Sequence, residues 1–598
     1  MTEDLLRITD LAVMFDGAPD GALAVKGIDL AIGRGEVVAI VGESGSGKSV
    51  TAKSVMRLIE FMGGRIVRGC AMLTDKAGKS MDILTADEAS MQRVRGDRIA
   101  MIFQEPMTSL NPVLTVGRQL SEVVIKHRGA SKAEADRIAL EVLQQVRIPE
   151  PERRLKQYPH EMSGGMRQRV MIAMAILCKP DLLIADEPTT ALDVTVQAEI
   201  LALLKTVQQE TGMAILLITH DMGIVAEVAD KVVVMLRGDV VESGDVATIF
   251  NAPRHDYTRR LLDAAPKLSL RLEAGGVPVP AMPSQPAPEM VSGEQDAVLS
   301  VRNLVTRFAV RQGLFHRVVA NVHAVEDVSF DLREKETLSL VGESGCGKST
   351  TGRSIMRLIQ PDSGAILLQG KNLQDIGASE MMTMRKRIQM VFQDPYASLN
   401  PRMSVEQIVA EPLHIHRMGN PSEIRDRVFT LLERVGLTRA QAELYPHQFS
   451  GGQRQRICIA RALALNPKVI IADEPVSALD VSIQGQILDL LAELQEEFSI
   501  SILFISHDMA VVERVSDRIA VMYLGEIIEI GPRDAVLGSP AHPYTRRLLD
   551  AVPIVHPDHR RARTLAVREL KSPIRPVGYR HEPVPMTAVG IGHYARLA

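Results

Sequence analysis

The sequence predicts an α/β protein that contains two copies of one domain, each built around a parallel β-sheet. The stretches GESGSGKS (42–49) and GESGCGKS (342–349) each follow an apolar run suited to a buried strand, and each precedes a segment with helical spacing. Longer stretches recur as well, since LLIADEPTTALDV (182–194) is matched by VIIADEPVSALDV (469–481). Strand, glycine-rich turn and helix in this order are typical of doubly wound sheets, and their repetition indicates a duplicated domain.

The spacing of the repeats locates an insertion in the first copy. Asp186 and Asp473 lie 287 positions apart, whereas Gly42 and Gly342 lie 300 positions apart. The first copy is therefore longer between these two points. Because extra length is tolerated best at the surface, we expect a surface loop around 60–98.

A composition change separates the two copies. The segment between them is rich in Pro, Gly, Ser and Ala and has no helical periodicity, which is typical of a linker. The last residues are locally basic, and we expect them to be solvated or docked on the surface. The predicted domains are 1–265 and 298–554, with a linker at 266–297 and a tail at 555–598.

Composition and hydropathy give no support for a nucleic-acid-binding, membrane-spanning or secreted protein. The chain has 598 residues, of which 46% are hydrophobic, and its net charge of −4 gives no reason to expect nucleic acid as a partner. No apolar run approaches the ~18–20 residues that span a bilayer, and MTEDLLRITD carries acids where a signal peptide carries bases. We therefore expect a soluble, cytoplasmic protein with membrane contacts only through partners. Four scattered cysteines without a CxxC pair suggest neither a disulfide framework nor a zinc site.

Each glycine-rich stretch predicts a phosphate-binding loop. Glycines let the backbone close around phosphate oxygens, and the amides of the turn and of the helix start point at the anion. Lys48 and Lys348 can reach the β- and γ-phosphates, while the hydroxyls of Ser49 and Ser349 can ligate Mg²⁺. The predicted loop residues are Gly42, Glu43, Ser44, Gly45, Ser46, Gly47, Lys48 and Ser49, and Gly342, Glu343, Ser344, Gly345, Cys346, Gly347, Lys348 and Ser349.

Two acidic pairs predict the hydrolytic half of the site. Asp186 and Asp473 end apolar strands, where ligands bind in doubly wound sheets, and can join the shell of Mg²⁺. Glu187 and Glu474 follow and can polarise the attacking water. Taken alone, Asp-Glu after a strand is often only a solvated strand end. Its position downstream of a phosphate loop in both copies favours catalysis.

A Ser-Gly-Gly run opens a helix in each copy. The runs are Ser163-Gly164-Gly165 and Ser450-Gly451-Gly452, within MSGGMRQR and FSGGQRQR. A hydroxyl with bare amides at a helix start can bind an anion, although an ordinary helix cap is the alternative. With these runs, the chain resembles a tandem of ATP-binding cassettes, the ATPase units of ABC transporters. The resemblance implies two P-loop NTPase cassettes, each with a RecA-like α/β core, an antiparallel β region and a helical subdomain.

The resemblance also implies that the two cassettes form an intramolecular dimer. Each Ser-Gly-Gly run would face the phosphate loop of the other copy, with ATP between them. Site one would comprise Lys48, Ser49, Gln104, Asp186, Glu187 and His220 with Ser450 and Gly452. Site two would comprise Lys348, Ser349, Gln393, Asp473, Glu474 and His507 with Ser163 and Gly165.

The remaining roles come from the same resemblance. His220 and His507 end apolar strands, which taken alone is more often structural, but the family implies contact with the γ-phosphate. The family assigns Gln104 and Gln393 to sensing Mg²⁺ and the attacking water, and Asp193 and Asp480 to the dimer seam. Phe15 and Phe308 stand where the family places an aromatic residue on adenine, or they are core.

Two further motifs resemble one branch of the family. SLNP after each glutamine and YTRRLLDA near the end of each copy are similar to the oligopeptide and dipeptide importers, in which two ATPases are usually separate chains. That branch implies two transmembrane permease subunits, an extracytoplasmic solute-binding protein and a place at the cytoplasmic face of the inner membrane. Its solutes include peptides, glutathione, nickel chelates and peptide antibiotics. SPIRPVGYRHEPVP has no cysteine, so we expect no iron–sulfur cluster.

The alternative is a soluble ABC ATPase that acts on ribosomes or DNA. The linker is short and Pro-rich, whereas translation-type members carry a long charged helical linker. Neither the coiled-coil insertion of chromosome-type members nor the CxxC sites of repair-type members occur in the sequence. A regulatory nucleotide-binding module without turnover is disfavoured because both glutamates are present.

Overall fold

The computed structural model describes most of the chain. The described residues are 4–17, 21–104, 109–190, 192–264, 297–312, 316–477, 479–553, 557 and 573–597. The predicted linker lies outside them except for Ala297, as does the tail up to residue 572 except for Pro557. We call residues 4–264 the first copy and residues 297–553 the second copy.

The first copy contains a core sheet and an antiparallel sheet. Its strands are β1 (Asp4–Phe15), β2 (Leu23–Gly33), β3 (Val37–Val41), β4 (Gly64–Thr74), β5 (Ser80–Asp82), β6 (Ile99–Ile102), β7 (Leu182–Asp186), β8 (Ala214–Thr219), β9 (Lys231–Leu236) and β10 (Asp239–Asp245). The core sheet has the order β10-β9-β3-β8-β7-β6 and is parallel except at β10, while β2-β1-β4-β5 form the antiparallel sheet. β3 and β7 are buried at every position, because helices or the second sheet cover both faces of a parallel sheet.

Helices surround the core sheet and form a separate lobe. They are α1 (Lys48–Val55), α2 (Glu88–Val94), α3 (Val116–Arg128), α4 (Lys132–Gln145), α5 (Pro151–Arg154), α6 (Gly164–Ile176), α7 (Val194–Thr211), α8 (Met222–Val228), α9 (Val246–Asn251) and α10 (Asp256–Ala264). The lobe consists of α3 to α6. α3 buries Val116, Leu120 and Val124 at helical spacing and begins at Thr115, whose side chain accepts a hydrogen bond from the Arg118 amide.

The second copy repeats this plan. Its strands are β11 (Ala297–Gln312), β12 (Arg317–Arg333), β13 (Thr337–Val341), β14 (Ser363–Leu368), β15 (Lys371–Asn372), β16 (Ile388–Val391), β17 (Val469–Asp473), β18 (Ser501–Ser506), β19 (Arg518–Tyr523) and β20 (Glu526–Pro532). Its helices are α11 (Lys348–Ile355), α12 (Ala378–Met384), α13 (Pro395–Ser398), α14 (Val405–Ile415), α15 (Pro421–Arg434), α16 (Gly451–Leu463), α17 (Val481–Phe498), α18 (Met509–Val515), α19 (Arg533–Gly538) and α20 (Pro543–Ala551). The predicted fold class, a tandem of α/β domains with antiparallel sheets and helical lobes, is confirmed.

The described part of the tail belongs to the sheets of the second copy. Its strands are β21 (Ile574–Pro576), β22 (Thr587–Gly590) and β23 (His593–Ala595). β21 pairs with β12, while β23 pairs with β20 and with β22, and β23 and β22 together extend the core sheet to eight strands. His593 is buried and its Nε2 lies 2.8 Å from Glu529 Oε1. Of the two expectations for the tail, solvated or docked on the surface, residues 573–597 follow the second, because their strands pair with edges of the second copy.

The inserted residues of the first copy lie within the expected range 60–98, but they form part of a β-hairpin and not the expected surface loop. β4 has 11 residues, whereas the matching strand β14 has six. The extra length lengthens a hairpin of the antiparallel sheet rather than adding an irregular loop. No helix among the described residues is long and apolar enough to cross a bilayer.

Candidate nucleotide sites

The phosphate loops connect β3 to α1 and β13 to α11. Lys48 Nζ donates hydrogen bonds to the carbonyls of Gly42 and Glu43 at 2.7 and 2.8 Å, and Lys348 repeats both contacts at 2.7 and 3.0 Å. Both lysines are buried, and burial lowers the pKa of Lys48. The two ammonium groups therefore lie inside the loops, at the position that a polyphosphate chain requires.

Glycine is required at the start of each loop. Gly42 has φ 152°, and a Cβ there would lie 2.2 Å from the carbonyl oxygen of Met235. Gly342 has the same conformation, with its Cβ position 2.2 Å from the carbonyl oxygen of Met522. Any side chain would force the loop away from the core sheet.

The loop serines and the strand-end aspartates lie together. Ser49 Oγ donates to Asp186 Oδ1 at 2.7 Å, and Ser349 Oγ donates to Asp473 Oδ1 at 2.7 Å. The other carboxylate oxygen of each aspartate is buried without a hydrogen-bond partner, and burial raises the pKa of both groups. Asp473 Oδ2 lies 4.0 Å from Arg353 Nη2, which is an ion pair without a hydrogen bond. A buried carboxylate oxygen without a hydrogen bond, beside a hydroxyl, is a donor set that fits a hard divalent cation.

Glu187 and Glu474 are held at the centre of each site. In the first copy, Gln104 Nε2 donates to Glu187 Oε2 at 2.9 Å, Thr190 Oγ1 donates to the same oxygen at 2.8 Å, and His220 Nδ1 lies 3.3 Å from Oε1. Glu187 has φ 47°, an uncommon conformation for a residue with a side chain. The structure thus brings together the predicted glutamine, glutamate and histidine.

The second copy repeats this arrangement. Gln393 Nε2 donates to Glu474 Oε2 at 2.8 Å, and His507 Nδ1 lies 3.3 Å from that oxygen. Glu474 has φ 48°. The two sites therefore share the glutamine–glutamate–histidine cluster but differ in one hydroxyl contact, because Ser477 Oγ donates to the Glu474 carbonyl, whereas the matching hydroxyl of the first copy donates to the carboxylate.

The charges of the glutamate and the histidine depend on each other. Burial acts to raise the pKa of Glu187, but the hydrogen bond and positive charge of His220 outweigh it, and the pKa falls to about 2. Burial acts to lower the pKa of His220, but Glu187 outweighs it and the pKa rises above 6.5. The pKa values of Glu474 and His507 are shifted in the same directions. Each glutamate is therefore ionised at neutral pH and can accept a hydrogen bond from water.

The substitution His220→Gln is expected to destabilise the protein in a pH-dependent way. The contribution of Glu187 is present above pH 4.5, its ordinary pKa, and is lost as the pH falls towards 2; that of His220 is present below pH 6.5 and is lost as the pH rises through its raised pKa. The loss of unfolding free energy should therefore be about 1 kcal/mol at pH 6 and smaller at pH 9. Urea unfolding of both proteins at the two pH values measures it, with His507→Gln as the matched variant. Equal losses at both pH values would contradict the pairing.

The Ser-Gly-Gly runs begin α6 and α16. Ser163 Oγ accepts from the amide of Met166 at 3.3 Å, and Ser450 Oγ accepts from the amide of Gln453 at 3.4 Å. Gln453 also accepts from the Ser450 amide, which Met166 cannot do. Within the described part of the chain, neither serine hydrogen-bonds to the other copy.

The second glycine of each run permits close packing. A Cβ on Gly165 would lie 2.7 Å from Val196, and one on Gly452 would lie 2.4 Å from Ile483. Val196 and Ile483 belong to α7 and α17, the helices that follow the seam aspartates. The glycines therefore place the start of α6 and α16 directly beside the seam.

The two copies touch at their phosphate loops. Asp193 Oδ1 accepts from the Ser344 amide at 2.7 Å, and Asp480 Oδ1 accepts from the Ser44 amide at 3.2 Å. In the same way, α7 packs against α20 and α17 packs against α10. Each loop is thus completed by an aspartate of the other copy.

Comparison with known proteins agrees with this geometry. A family profile described as "ABC transporter" matches residues 25–190 and 325–477, and one described as "Oligopeptide/dipeptide transporter, C-terminal region" matches residues 241–286 and 528–575. The glutathione import ATP-binding protein GsiA of Salmonella typhimurium is 53% identical over 99% of this chain and 97% of the relative. GsiA of Escherichia coli K12 is 53% identical over 99% of this chain and 96% of the relative.

The chain belongs to the ABC transporter family. It is an ATP-binding protein and an ATPase, with two cassettes in one chain. Among solved structures, the ATP-binding cassette MJ0796 bound to ADP and Pi is 30% identical, with a TM-score of 0.36 over 39% of this chain and 98% of that chain. None of these comparisons favours the alternative of a ribosome- or DNA-acting ATPase.

The proposed adenine contacts are placed differently in the two cassettes. Phe15 ends β1 and is half-buried against the core of the antiparallel sheet, whereas Phe308 lies in β11 and is 41% exposed. Phe308 is therefore the more exposed of the two residues. The role of both residues in adenine binding stays a prediction.

The sequence did not predict the role of two tyrosines whose hydroxyl groups hydrogen-bond to backbone amides of the phosphate loops. The hydroxyl oxygen of Tyr257 accepts from the Glu43 amide at 2.9 Å, and that of Tyr544 accepts from the Glu343 amide at 3.0 Å. The available signal was the repetition of YTRRLLDA, which indicated a branch of the family but not a contact. These tyrosines connect the last helix of each cassette to its own phosphate loop.

Proposed function

We propose that this protein is the ATP-hydrolysing subunit of an importer for peptides or a related small solute such as glutathione. It would work at the cytoplasmic face of the inner membrane with two transmembrane permease subunits and an extracytoplasmic solute-binding protein. The support is the oligopeptide/dipeptide profile matched in both cassettes and the whole-length identity to proteins described as glutathione importers. We propose the division into 1–265, 266–297, 298–554 and 555–598 from the sequence repeat and the composition change between the copies, with the strands after residue 572 joined to the sheets of the second cassette.

The main support for a mechanism with two shared sites is a pair of contacts between the cassettes. Each seam aspartate, Asp193 or Asp480, hydrogen-bonds to the phosphate loop of the opposite cassette. A nucleotide on either loop would therefore lie at the boundary between cassettes. We assign site one to Lys48, Ser49, Gln104, Asp186, Glu187 and His220 with Ser450 and Gly452, and site two to Lys348, Ser349, Gln393, Asp473, Glu474 and His507 with Ser163 and Gly165.

The residues of each site divide the work of phosphoryl transfer. Lys48 and the loop amides would bind the β- and γ-phosphates, and the helix-start amides next to Ser450 would neutralise the γ-phosphate from the other side. Ser49, Asp186 and Gln104 would hold Mg²⁺, which supplies charge neutralisation when bound. Site two uses the matching residues.

Glu187 would orient the attacking water and accept its proton. Its carboxylate is kept ionised by His220, and Gln104 and Thr190 fix one of its oxygens. The other ring nitrogen of His220, Nε2, would donate a hydrogen bond to an oxygen of the γ-phosphate. Because ATP is held by both cassettes, its binding closes the pair and its hydrolysis reopens it, and this motion would drive the permease subunits.

Transport with purified components tests the proposal. The complex with its permease subunits, placed in liposomes with the solute-binding protein, should hydrolyse ATP faster when glutathione or a dipeptide is supplied, and should accumulate that solute. A nickel chelate serves as the comparison solute. ATP turnover that responds to none of these solutes, or that responds to ribosomes instead, would contradict the importer assignment.

A further inference from the structure

An acidic side chain inside the second phosphate loop is buried at the boundary between cassettes. Glu343 is only 2% exposed, and its Oε1 accepts hydrogen bonds from Thr195 Oγ1 at 2.6 Å and from Arg547 Nη2 at 3.2 Å. Thr195 belongs to the first cassette, in α7, whereas Arg547 belongs to the second, in α20. One carboxylate of the loop therefore joins three elements from two cassettes.

The last helix of the second cassette also holds the backbone of the same residue. The Glu343 amide donates to Tyr544 Oη at 3.0 Å, and the ring of Tyr544 packs on Tyr523, with the ring centroids 4.3 Å apart. Val194 of the first cassette packs against this cluster. Both the main chain and the side chain of Glu343 are thus fixed by buried contacts.

The first phosphate loop has a looser version of this arrangement. Glu43 is only half-buried, and its Oε1 accepts from Ser482 Oγ at 3.0 Å. Arg260, which matches Arg547, lies with its guanidinium 5.9 Å from the ring centroid of Tyr257. The two boundaries therefore differ in burial and in charge pairing, although their motifs are repeated.

We propose that Thr195 is a positioning residue for hydrolysis at site two, acting across the boundary through Glu343 and Arg547. The hydroxyl ties the helix after the seam aspartate of one cassette to the phosphate loop of the other, so that site two aligns only when both cassettes are in register. Thr195 contacts neither the lysine nor the glutamate of that site. Its loss should therefore affect the alignment of the closed pair more than the binding of ATP. The inference rests on the two composite sites proposed above.

Thr195→Ala tests the inference in two backgrounds. In Glu187→Gln, turnover comes from site two, and Thr195→Ala should lower kcat about ten-fold, the loss expected for one buried hydrogen bond to a carboxylate. The Kd for the initial binding of ATP to the open cassettes should change less than about two-fold, because Lys348 and the loop remain, and only the retention that closure adds should fall. In Glu474→Gln, turnover comes from site one, and Thr195→Ala should change kcat less than about two-fold.

Matched variants separate positioning from general damage. Thr195→Ser keeps the hydroxyl and should restore kcat to within about two-fold. Ser482→Ala, the matching change at the half-buried boundary, should lower turnover at site one less than about three-fold. Thr195→Ala should add little to Glu343→Ala, since both remove the same contact.

If the two sites are strongly coupled, one glutamine substitution could stop turnover at both, and nucleotide retention then serves as a second measurement. In Glu187→Gln with Glu474→Gln, retention of labelled ATP after rapid dilution should fall from two nucleotides per chain to one when Thr195→Ala is added. Equal loss at both sites, full retention of two nucleotides, or failure of Thr195→Ser to restore activity would overturn the inference. If each single glutamine background keeps the full parent rate, the catalytic assignment of the glutamates fails instead.

Discussion

Replacing both site glutamates by glutamine is expected to stop turnover while leaving ATP bound. In Glu187→Gln with Glu474→Gln, phosphate release should fall about 10²- to 10⁴-fold, because the proton acceptor for water is lost at both sites. The Kd for ATP should change less than about three-fold, since Lys48 and Lys348 and their loops are untouched. Phosphate release and equilibrium nucleotide binding, measured on the same preparations, check both statements.

ATP binding should stay intact because the substitution preserves the shape of the side chain. Glutamine has the shape of glutamate and can still accept the hydrogen bond that Thr190 Oγ1 gives to Glu187 at 2.8 Å. It cannot take a proton from water at neutral pH. Glu141→Gln, which changes an exposed carboxylate paired with Arg137 in α4, is a suitable control and should keep turnover within about two-fold. Normal phosphate release by the double variant would remove the assigned role.

The second large effect is expected from pairing substitutions across the two sites. Lys48→Ala with Ser450→Arg damages site one twice and leaves site two complete. Lys48→Ala with Ser163→Arg damages one side of each site. The second pair should therefore hydrolyse ATP at least about ten-fold more slowly than the first, although both carry one lysine and one serine change.

The two double variants can be compared directly because each carries the same lysine change and one serine-to-arginine change. An arginine at a helix start blocks the γ-phosphate from that side, and loss of the loop lysine removes a charge that phosphoryl transfer needs. If each cassette were self-sufficient, Lys48→Ala with Ser163→Arg would be the more active pair, since both changes would fall in one cassette. ATPase rates at saturating ATP distinguish the two arrangements.

The sequence predicted the repeated fold because its strongest signals are local. VVAIV followed by GESGSGKS defines a buried strand, a turn and a helix with little help from the rest of the chain. The family resemblance assigned Gln104, Glu187 and His220 to one site but predicted no contacts among them, and the structure brings these side chains within hydrogen-bond distance. Periodicity alone carries no information on which strand ends meet.

The contacts at the boundary between the cassettes were harder to predict from the sequence. Asp193 was expected at the seam, but nothing in the pattern indicated that Thr195 would reach Glu343, since that contact depends on the relative position of two folded domains. The short strands of the tail were missed for a related reason. β21 and β23 have three residues each and form strands only because β12 and β20 offer an open edge.

The strand at His593–Ala595 has a consequence for the order of events during synthesis. All described elements of the first copy end by residue 264, so that half of the molecule can acquire its native packing while the ribosome is still translating the other. The second half needs the strand His593–Ala595 to pair the edge of β20 and to cover Glu529. A nascent chain interrupted shortly before this strand would thus carry a first half with all of its described strands and a second half with an unprotected edge, which is the kind of surface on which aggregation begins.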